Sequence, residues 1–308
     1  MALPALAVEL DGEGTRATRV IPPLFTLEGL DQHDRPELAP QPSDVWVRGQ
    51  EVPLDRWIFG QYNKLLPAKA NVRALAHLQA REARGVPLGE AASRIVEEVV
   101  ALGALLARRD EINGTNRDDA LATAFPTSDT DSEKGRSRYA NQFVASVNTQ
   151  GRVSGLLIDF KFINYYSGRK GSSGPRLQLT EAGWELALLR NPVLDEADGG
   201  SSGKFSPQEV AFLTRHIARC VRAEDFAYRA ILTAVDEGAN TPEMLDAALR
   251  RFAPERPGRA LSESFLSSQR SGAVSRMADL GLLARVREGV RVSYVATDAG
   301  KRYAQGAQ

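Results

Sequence analysis

Leu179-Thr180-Glu181-Ala182-Gly183 reappears near the end of the chain as Ala296-Thr297-Asp298-Ala299-Gly300. An alanine follows each glycine after four residues, and the two threonines lie 117 residues apart in a chain of 308. A threonine accepts backbone N–H donors at the start of a helix, and the helix dipole favours an acidic residue just after it. Because self-similarity at a fixed spacing is typical of repeated modules, the chain is predicted to contain two copies of one module.

Two upstream matches extend the repeat. Gly151-Arg152-Val153-Ser154 aligns with Gly272-Ala273-Val274-Ser275 at an offset of 121, and Phe143-Val144-Ala145-Ser146 aligns with Phe265-Leu266-Ser267-Ser268 at 122. Small loop insertions produce such drifting offsets. The order predicted for each copy is a polar helix, an apolar stretch, a glycine-containing loop and a last helix.

This order resembles the winged helix-turn-helix superfamily. The two five-residue phrases are similar to the Leu-Thr-x-x-Gly pattern at the strand-to-helix junction of MarR-like and PadR-like regulators. The resemblance covers roughly residues 88–190 and 222–305. It implies that the loop before each phrase is a wing, a β-hairpin beside a DNA-recognition helix.

Composition indicates a globular protein in a reducing compartment. The apolar fraction of 43% suffices for packed cores, and the single cysteine, Cys220, excludes a disulfide framework. Apolar runs of the roughly 20 residues that span a bilayer are absent, and the first residues lack the basic start of a signal peptide. The sequence therefore predicts a cytoplasmic, nucleoid-associated protein without a membrane partner.

Positive charge is concentrated in the same part of each copy, although the net charge of the whole chain is zero. Residues 134–178 hold eight basic side chains and one acidic side chain, a net charge of +7. Residues 250–295 hold nine arginines and four acidic residues, a net charge of +5. The rest of the chain must therefore carry −12. Clusters of this kind are typical of phosphate-binding surfaces.

The predicted architecture is mostly α with small β-wings, that is, two tandem winged helix-turn-helix domains behind an extended arm. The arm covers 1–66 and is rich in proline. The first domain covers 67–192, a flexible linker 193–206 and the second domain 207–308. Helices are predicted at about 67–83, 88–109, 117–124, 136–158, 207–220, 222–237, 242–252, 259–280 and 298–305, and wing strands at 160–166, 177–179, 283–288 and 290–296.

The DNA hypothesis assigns contacts to the polar helix and the wing of each copy. Arginine, asparagine and glutamine on a helix in the major groove would face base edges, and wing cations would lie along phosphates. The predicted DNA-binding residues are Arg136, Arg138, Asn148, Gln150, Arg152, Arg169, Lys170, Arg176, Gln269, Arg270, Arg276, Arg285, Arg287 and Arg291.

The other motifs in the sequence give weaker indications of function. Gly199–Lys204 lacks the spacing of a phosphate loop, and the Asp159-Phe160-Lys161 triplet lacks the upstream acid of a nuclease site. Phe160 and Phe162 are predicted to be core residues, whereas Tyr165 or Tyr166 could be exposed and stack on an unpaired base. Cys220 is predicted to be buried.

The sequence therefore predicts a protein that binds double-stranded DNA, without catalytic activity, cofactor or metal. It would act as a transcription regulator or a DNA-recognition subunit. The alternative is an adaptor or scaffold subunit of a replication, mobile-element or phage-defence complex. In that case the arm and the acidic surface would hold a protein partner.

Overall fold

The computed structural model describes residues 21–30, 62–82, 85–117, 119–127, 133–149, 153–166, 174–195, 203–251 and 262–306, and the backbone of 46–47. Within these residues the chain is mostly helical, with a four-stranded sheet and two hairpins, all antiparallel. The described residues fall into an N-terminal half, up to Asp195, and a C-terminal half, from Gly203.

The N-terminal half is built around a buried helix. Its elements are β1 (Trp46–Val47), α1 (Leu66–Gln79), β2 (Val86–Pro87), α2 (Leu88–Ile112), α3 (Glu133–Tyr139), β3 (Ser146–Val147), β4 (Val153–Ser154), α4 (Leu156–Asp159), β5 (Ile163–Tyr166), β6 (Arg176–Leu179), α5 (Glu181–Leu188) and α6 (Pro192–Asp195). Helix α1 is buried over almost its whole length, and Pro67 occupies its first turn, where a missing N–H costs nothing. The sheet has the strand order β1-β5-β6-β2.

The C-terminal half has four helices, a hairpin and a last helix. They are α7 (Pro207–Cys220), α8 (Arg222–Asp236), α9 (Pro242–Leu249), α10 (Glu263–Asp279), β7 (Leu283–Glu288), β8 (Arg291–Ala296) and α11 (Asp298–Ala304). Ser206 and Glu209 form a capping box at the start of α7, in which each side chain accepts a hydrogen bond from the other residue's backbone N–H. The helices and strands predicted in this half are confirmed to within a few residues, except that the predicted ends at 252 and 259 lie outside the described residues.

The repeated phrase has the same geometry in both halves. Thr180 and Thr297 are N-caps, and each hydroxyl accepts a hydrogen bond from the glycine N–H three residues later, at 3.1 and 3.0 Å. A Cβ on Gly183 would lie 2.2 Å from the carbonyl oxygen of Phe162, and one on Gly300 would lie 2.1 Å from that of Leu282. The glycine in each copy thus allows the helix to contact the backbone that precedes the hairpin.

The turn before each hairpin is also shared. Lys161 and Gly281 lie 120 residues apart and have φ values of 62° and 66°. The carbonyl oxygen of each accepts a hydrogen bond from the hydroxyl of the capping threonine, Thr180 or Thr297. Glycine tolerates this left-handed conformation better than lysine does. The two junctions are therefore one structure built from different residues.

The long helix predicted over 136–158 is wrong. Helix α3 ends at Tyr139, a π-helical turn covers Ala140–Val144, and β3 and β4 form a hairpin before the single turn of α4. Val147 pairs with Val153, and β-branched side chains favour strands. The upstream sequence matches consequently join unlike structures, because residues 265–268 and 272–275 lie within the continuous helix α10.

The two halves share buried polar contacts as well as one hydrophobic core. The ammonium group of Lys69 on α1 lies 3.1 Å from the Glu209 carboxylate on α7, and both side chains are fully buried. Burial lowers the pKa of Lys69 to about 7, and the charge of Arg73 adds to this effect while Glu209 opposes it. The imidazole of His216 on α7 lies 2.7 Å from the carbonyl oxygen of Phe160. These contacts fix the halves against each other.

Arg73 holds the early residues and the end of the N-terminal half to α1. All of its donors are used: both terminal nitrogens lie 2.6 Å from Asp195 oxygens, and the others reach the carbonyls of Phe25, Ala187 and Leu189. Although burial opposes the ionisation of Asp195, hydrogen bonds from Arg73 hold its pKa below the usual value. The linker predicted at 193–206 therefore starts in packed chain, and 196–202 lie outside the described residues.

Burial agrees only in part with the sequence predictions. Phe160 and Phe162 are fully buried, as predicted, and Tyr165 is buried while Tyr166 is half-buried. The prediction of a buried Cys220 is wrong. Cys220 occupies the last position of α7, and this end of the helix is exposed.

Candidate nucleic-acid interface

The hairpin β7–β8 carries three of the predicted DNA-binding arginines. Arg285 pairs with Tyr294 and Arg287 with Val292, so these two arginines share one face of the hairpin. Arg291 pairs with Glu288 and lies on the opposite face. The strands meet at Gly289, whose φ of 65° suits the turn. Leu283 and Tyr294 are buried and anchor the base of the hairpin, while its far end is exposed.

A cleft with a volume of about 1340 Å³ opens between the two halves, and Arg285 and Arg287 line it. The remaining lining residues are Asn63, Lys64, Asn116, Arg117, Asp119, Thr123, Gly203, Lys204, Val210, Ser271, Ser275, Ala278, Asp279, Leu280, Gly281 and Leu283. The described lining residues include five basic and two acidic side chains, a net charge of +3. The described residues of this lining are mostly polar and include no aromatic side chain.

Four charged residues of the lining form what we term the inner cation cluster: Lys64, Lys204, Arg285 and Asp279. The ammonium group of Lys204 lies 2.9 Å from one Asp279 oxygen, and the backbone N–H of Leu65 donates to the other at 3.4 Å. Lys64 is 8% exposed. Burial lowers the pKa of Lys64, and the nearby charges of Lys204 and Arg285 add to the effect, while Asp279 opposes it.

Arg276 does not fit the DNA prediction, because its side chain is fully buried. Its guanidinium forms a two-point ion pair with Glu224, also fully buried, at 2.6 and 2.8 Å. It also donates to the carbonyl of Tyr62 in the N-terminal half and lies 6.0 Å from the centre of the Phe160 ring. Arg276 therefore joins the two halves, and a phosphate has no access to it.

The rest of helix α10 also disagrees with the prediction that this helix enters the major groove. Residues 272–277 are buried, so the helix is exposed mainly over its first part, and its last residues, 278 and 279, are only partly exposed. Arg270 binds Asp246 at 2.7 Å and the Tyr294 hydroxyl at 2.9 Å, and its side chain is only 11% exposed. Gln269 is half-buried. The helix predicted to enter the major groove thus uses Arg270 and Arg276, two of its predicted DNA-binding residues, to hold the C-terminal half together.

The predicted residues of the first copy are dispersed. Arg136 is half-buried and Arg138 exposed on α3, and Asn148 is exposed after β3 rather than on a helix. Arg176 lies 3.1 Å from Glu82 and donates to the carbonyl of Gly85, so it supports the sheet. The other four predicted residues lie outside the described residues: Gln150, Arg152, Arg169 and Lys170.

The cleft contains three cations that the sequence analysis missed: Lys64, Arg117 and Lys204. Each lies outside the two basic segments, and only the packing of the halves brings them together. Lys204 follows the Gly-Ser stretch that was rejected as a phosphate loop on spacing. The Gly-Ser stretch is not a complete phosphate-binding motif by itself. Lys204 instead lines a cleft that is assembled from distant segments of the chain.

Other site chemistry is limited in the part of the chain that the structure describes. Asp159 accepts a hydrogen bond from the Tyr62 hydroxyl at 2.8 Å, a structural role for the residue of the rejected nuclease triplet. Among the described residues, histidine, cysteine, aspartate and glutamate form no group of three or more suited to a metal ion. The described helices include none with the length and apolar content to cross a bilayer.

No protein-family model, curated protein or solved structure matches the chain.

Proposed function

We propose that the protein binds double-stranded DNA through two winged-helix units and serves as a transcription regulator or a DNA-recognition subunit. The observation that carries this proposal is the exposed end of the β7–β8 hairpin, with arginines on both faces, beside a cleft with a net charge of +3. A β-hairpin that projects cations beside a cationic cleft is suited to phosphate contacts along a nucleic-acid backbone.

The packing of the halves changes how such binding would work. The buried Lys69–Glu209 ion pair and the hydrogen bond from Arg276 to the Tyr62 carbonyl join the halves, so the halves would meet DNA as one rigid body rather than as two modules on a linker. Because the second half of α10 is buried, a deep insertion of this helix into the major groove is not available to it. Phosphate contacts from the hairpin would therefore supply most of the affinity, and the affinity would be steeply salt-dependent.

The test is the affinity for a random duplex across a salt series, compared between the wild type and an Arg287→Ala/Arg291→Ala variant. Both arginines are exposed at the far end of the hairpin, so their removal leaves the core intact. If both contact phosphates, the slope of log affinity against log salt becomes shallower by about 2. An Arg215→Ala variant is the matched control, because Arg215 is exposed on α7 and does not line the cleft.

A protein-adaptor role is the second candidate, and an apolar face of the same hairpin favours it. Val286 and Val295 are 40% and 50% exposed on the face opposite Arg285 and Arg287, and Val290 at the turn is 100% exposed. Exposed apolar patches mark protein contacts when they are contiguous. An adaptor of this kind would show no duplex binding at low salt in the experiment above, in the wild type as in the variant.

A further inference from the structure

Helix α2 has a buried side and a side that faces solvent. The buried side is apolar and recurs every three or four residues, at Ala91, Ile95, Val99, Leu102 and Leu106. The solvent-facing side mixes apolar and charged residues. Ala101 is exposed, Leu105 is half-buried, and Ile112 is 74% exposed.

Four exposed charges on this side are arranged symmetrically about the middle of the helix. Arg94 and Glu111 lie equally far from the point midway between residues 102 and 103, and so do Glu97 and Arg108. The two charges of each pair have opposite signs. With about 100° of rotation per residue, the four side chains lie within an arc of about 100°, so they form one stripe.

The apolar residues of the stripe follow the same symmetry. Ala101 and Ala104 flank the midpoint directly, and Val100 and Leu105 lie just outside them. Ala104, Val100 and Leu105 are all half-buried. Small side chains at the centre of a helix face let a second helix approach closely, because the distance between helix axes depends on the residues at the contact.

This pattern is complementary to itself when two copies of α2 lie antiparallel. A two-fold axis through the midpoint would place Glu97 of each copy opposite Arg108 of the other, and Arg94 opposite Glu111. A solvated helix can also carry opposite charges as neighbours along its own surface, but such pairs need no symmetry about a midpoint. The charge arrangement therefore favours a second copy of this chain over an unrelated partner.

We propose that the solvent-facing side of α2 binds the same side of a second copy of this chain, in an antiparallel pair centred between residues 102 and 103. Ala101 of each copy packs against Ala104 of the other, and the ion pairs set the direction and the register. The described residues that line the cleft include none from α2. The contact thus uses neither the cleft nor the β7–β8 hairpin, and it does not rest on the proposed function.

The experiment is analytical ultracentrifugation of the full chain over a wide concentration range. One helix face makes a small interface, so the wild type should dimerise reversibly with a dissociation constant in the micromolar range. Glu97→Arg places two arginines at both symmetric contacts, and Arg108→Glu places two glutamates there. Each change should weaken dimerisation roughly 10- to 100-fold.

The deciding sample is an equal mixture of the Glu97→Arg and Arg108→Glu chains. Each mixed pair regains opposite charges at both contacts, so the mixture should dimerise nearly as well as the wild type. A misfolded chain cannot produce this recovery. Lys301→Glu, on the exposed end of α11, makes the same change in net charge as Arg108→Glu and is the matched control, which should dimerise like the wild type.

Three results would overturn the proposal. The first is a wild type that stays monomeric into the hundreds of micromolar. The second is a dimer that neither reversal weakens, or that Lys301→Glu weakens equally, since the contact would then lie elsewhere or depend only on net charge. The third is a mixture of the two reversed chains that dimerises no better than either chain alone.

Discussion

Substitutions in the Arg276–Glu224 pair test whether Arg276 stabilises the fold or binds DNA. Both side chains are fully buried, and the guanidinium also donates to the Tyr62 carbonyl across the two halves. Arg276→Met leaves the Glu224 carboxylate buried without its partner, and breaking such a pair typically costs about 3–5 kcal/mol. This is a large part of the 5–15 kcal/mol by which domains are usually stable. The Arg276→Met protein should therefore be strongly destabilised.

A double-mutant cycle adds a second variant in which both Arg276 and Glu224 are replaced. Because charged pairs lose much of their attraction to desolvation, Arg276→Met/Glu224→Leu should recover most of the stability that Arg276→Met loses. Urea unfolding measures the free energy of unfolding for the wild type and each variant. The reasoning is refuted if Arg276→Met keeps wild-type stability and loses affinity for duplex DNA instead, since that result would place Arg276 at a DNA surface.

Three further predictions concern the junctions, the tyrosines and the cysteine. Gly183→Ala and Gly300→Ala should each lower the free energy of unfolding in urea by roughly 1–3 kcal/mol, because the new Cβ meets a carbonyl oxygen at 2.2 or 2.1 Å. Gly89→Ala in α2 is the control: a Cβ there would have nothing within 4 Å, so this change should raise the free energy of unfolding by up to about 1 kcal/mol. Equal effects at all three positions would contradict the shared junction. Burial raises the pKa of Tyr139, Tyr228 and Tyr303, so the folded state keeps protons that the unfolded chain loses near pH 10. Their contribution is full below that pH and falls above it, by up to about 1.4 kcal/mol per pH unit for each tyrosine, and the share of the tyrosinate absorbance that belongs to these three should appear only with unfolding. Cys220 is exposed and should react with a thiol reagent in the native protein, and a thiol that reacts only after unfolding would contradict its placement.

Local signals predicted the junctions well. The capping threonine and the acidic residue after it act within a few residues in each copy, so the sequence alone shows them. The capping box at Ser206 and Glu209 is of the same kind. The prediction of one helix over 136–158 is wrong because Ala145, Val147 and Val153 can be apolar positions of a helix or a strand, and tertiary pairing decides between the two.

The cleft could not be predicted, because it depends on how the halves pack. Lys64 and Lys204 are far apart in the sequence, and neither belongs to a basic run. Conversely, the run that contains Arg270 and Arg276 reads as a charged surface, whereas Asp246 and Glu224 neutralise those arginines inside the fold. A charge count in the sequence does not separate a solvated cation from one held in a buried pair.

Site-specific photo-crosslinking tests whether the β7–β8 hairpin beside the cleft contacts duplex DNA, as we propose. A photoreactive residue replaces Val290, which is 100% exposed at the hairpin turn, or Met244, which is 49% exposed on α9 and does not line the cleft. Neither substitution disturbs a buried side chain. We expect crosslinks to duplex DNA from position 290 and none from position 244. Crosslinks from position 244 alone, or from neither position under conditions where the duplex is bound, would contradict it.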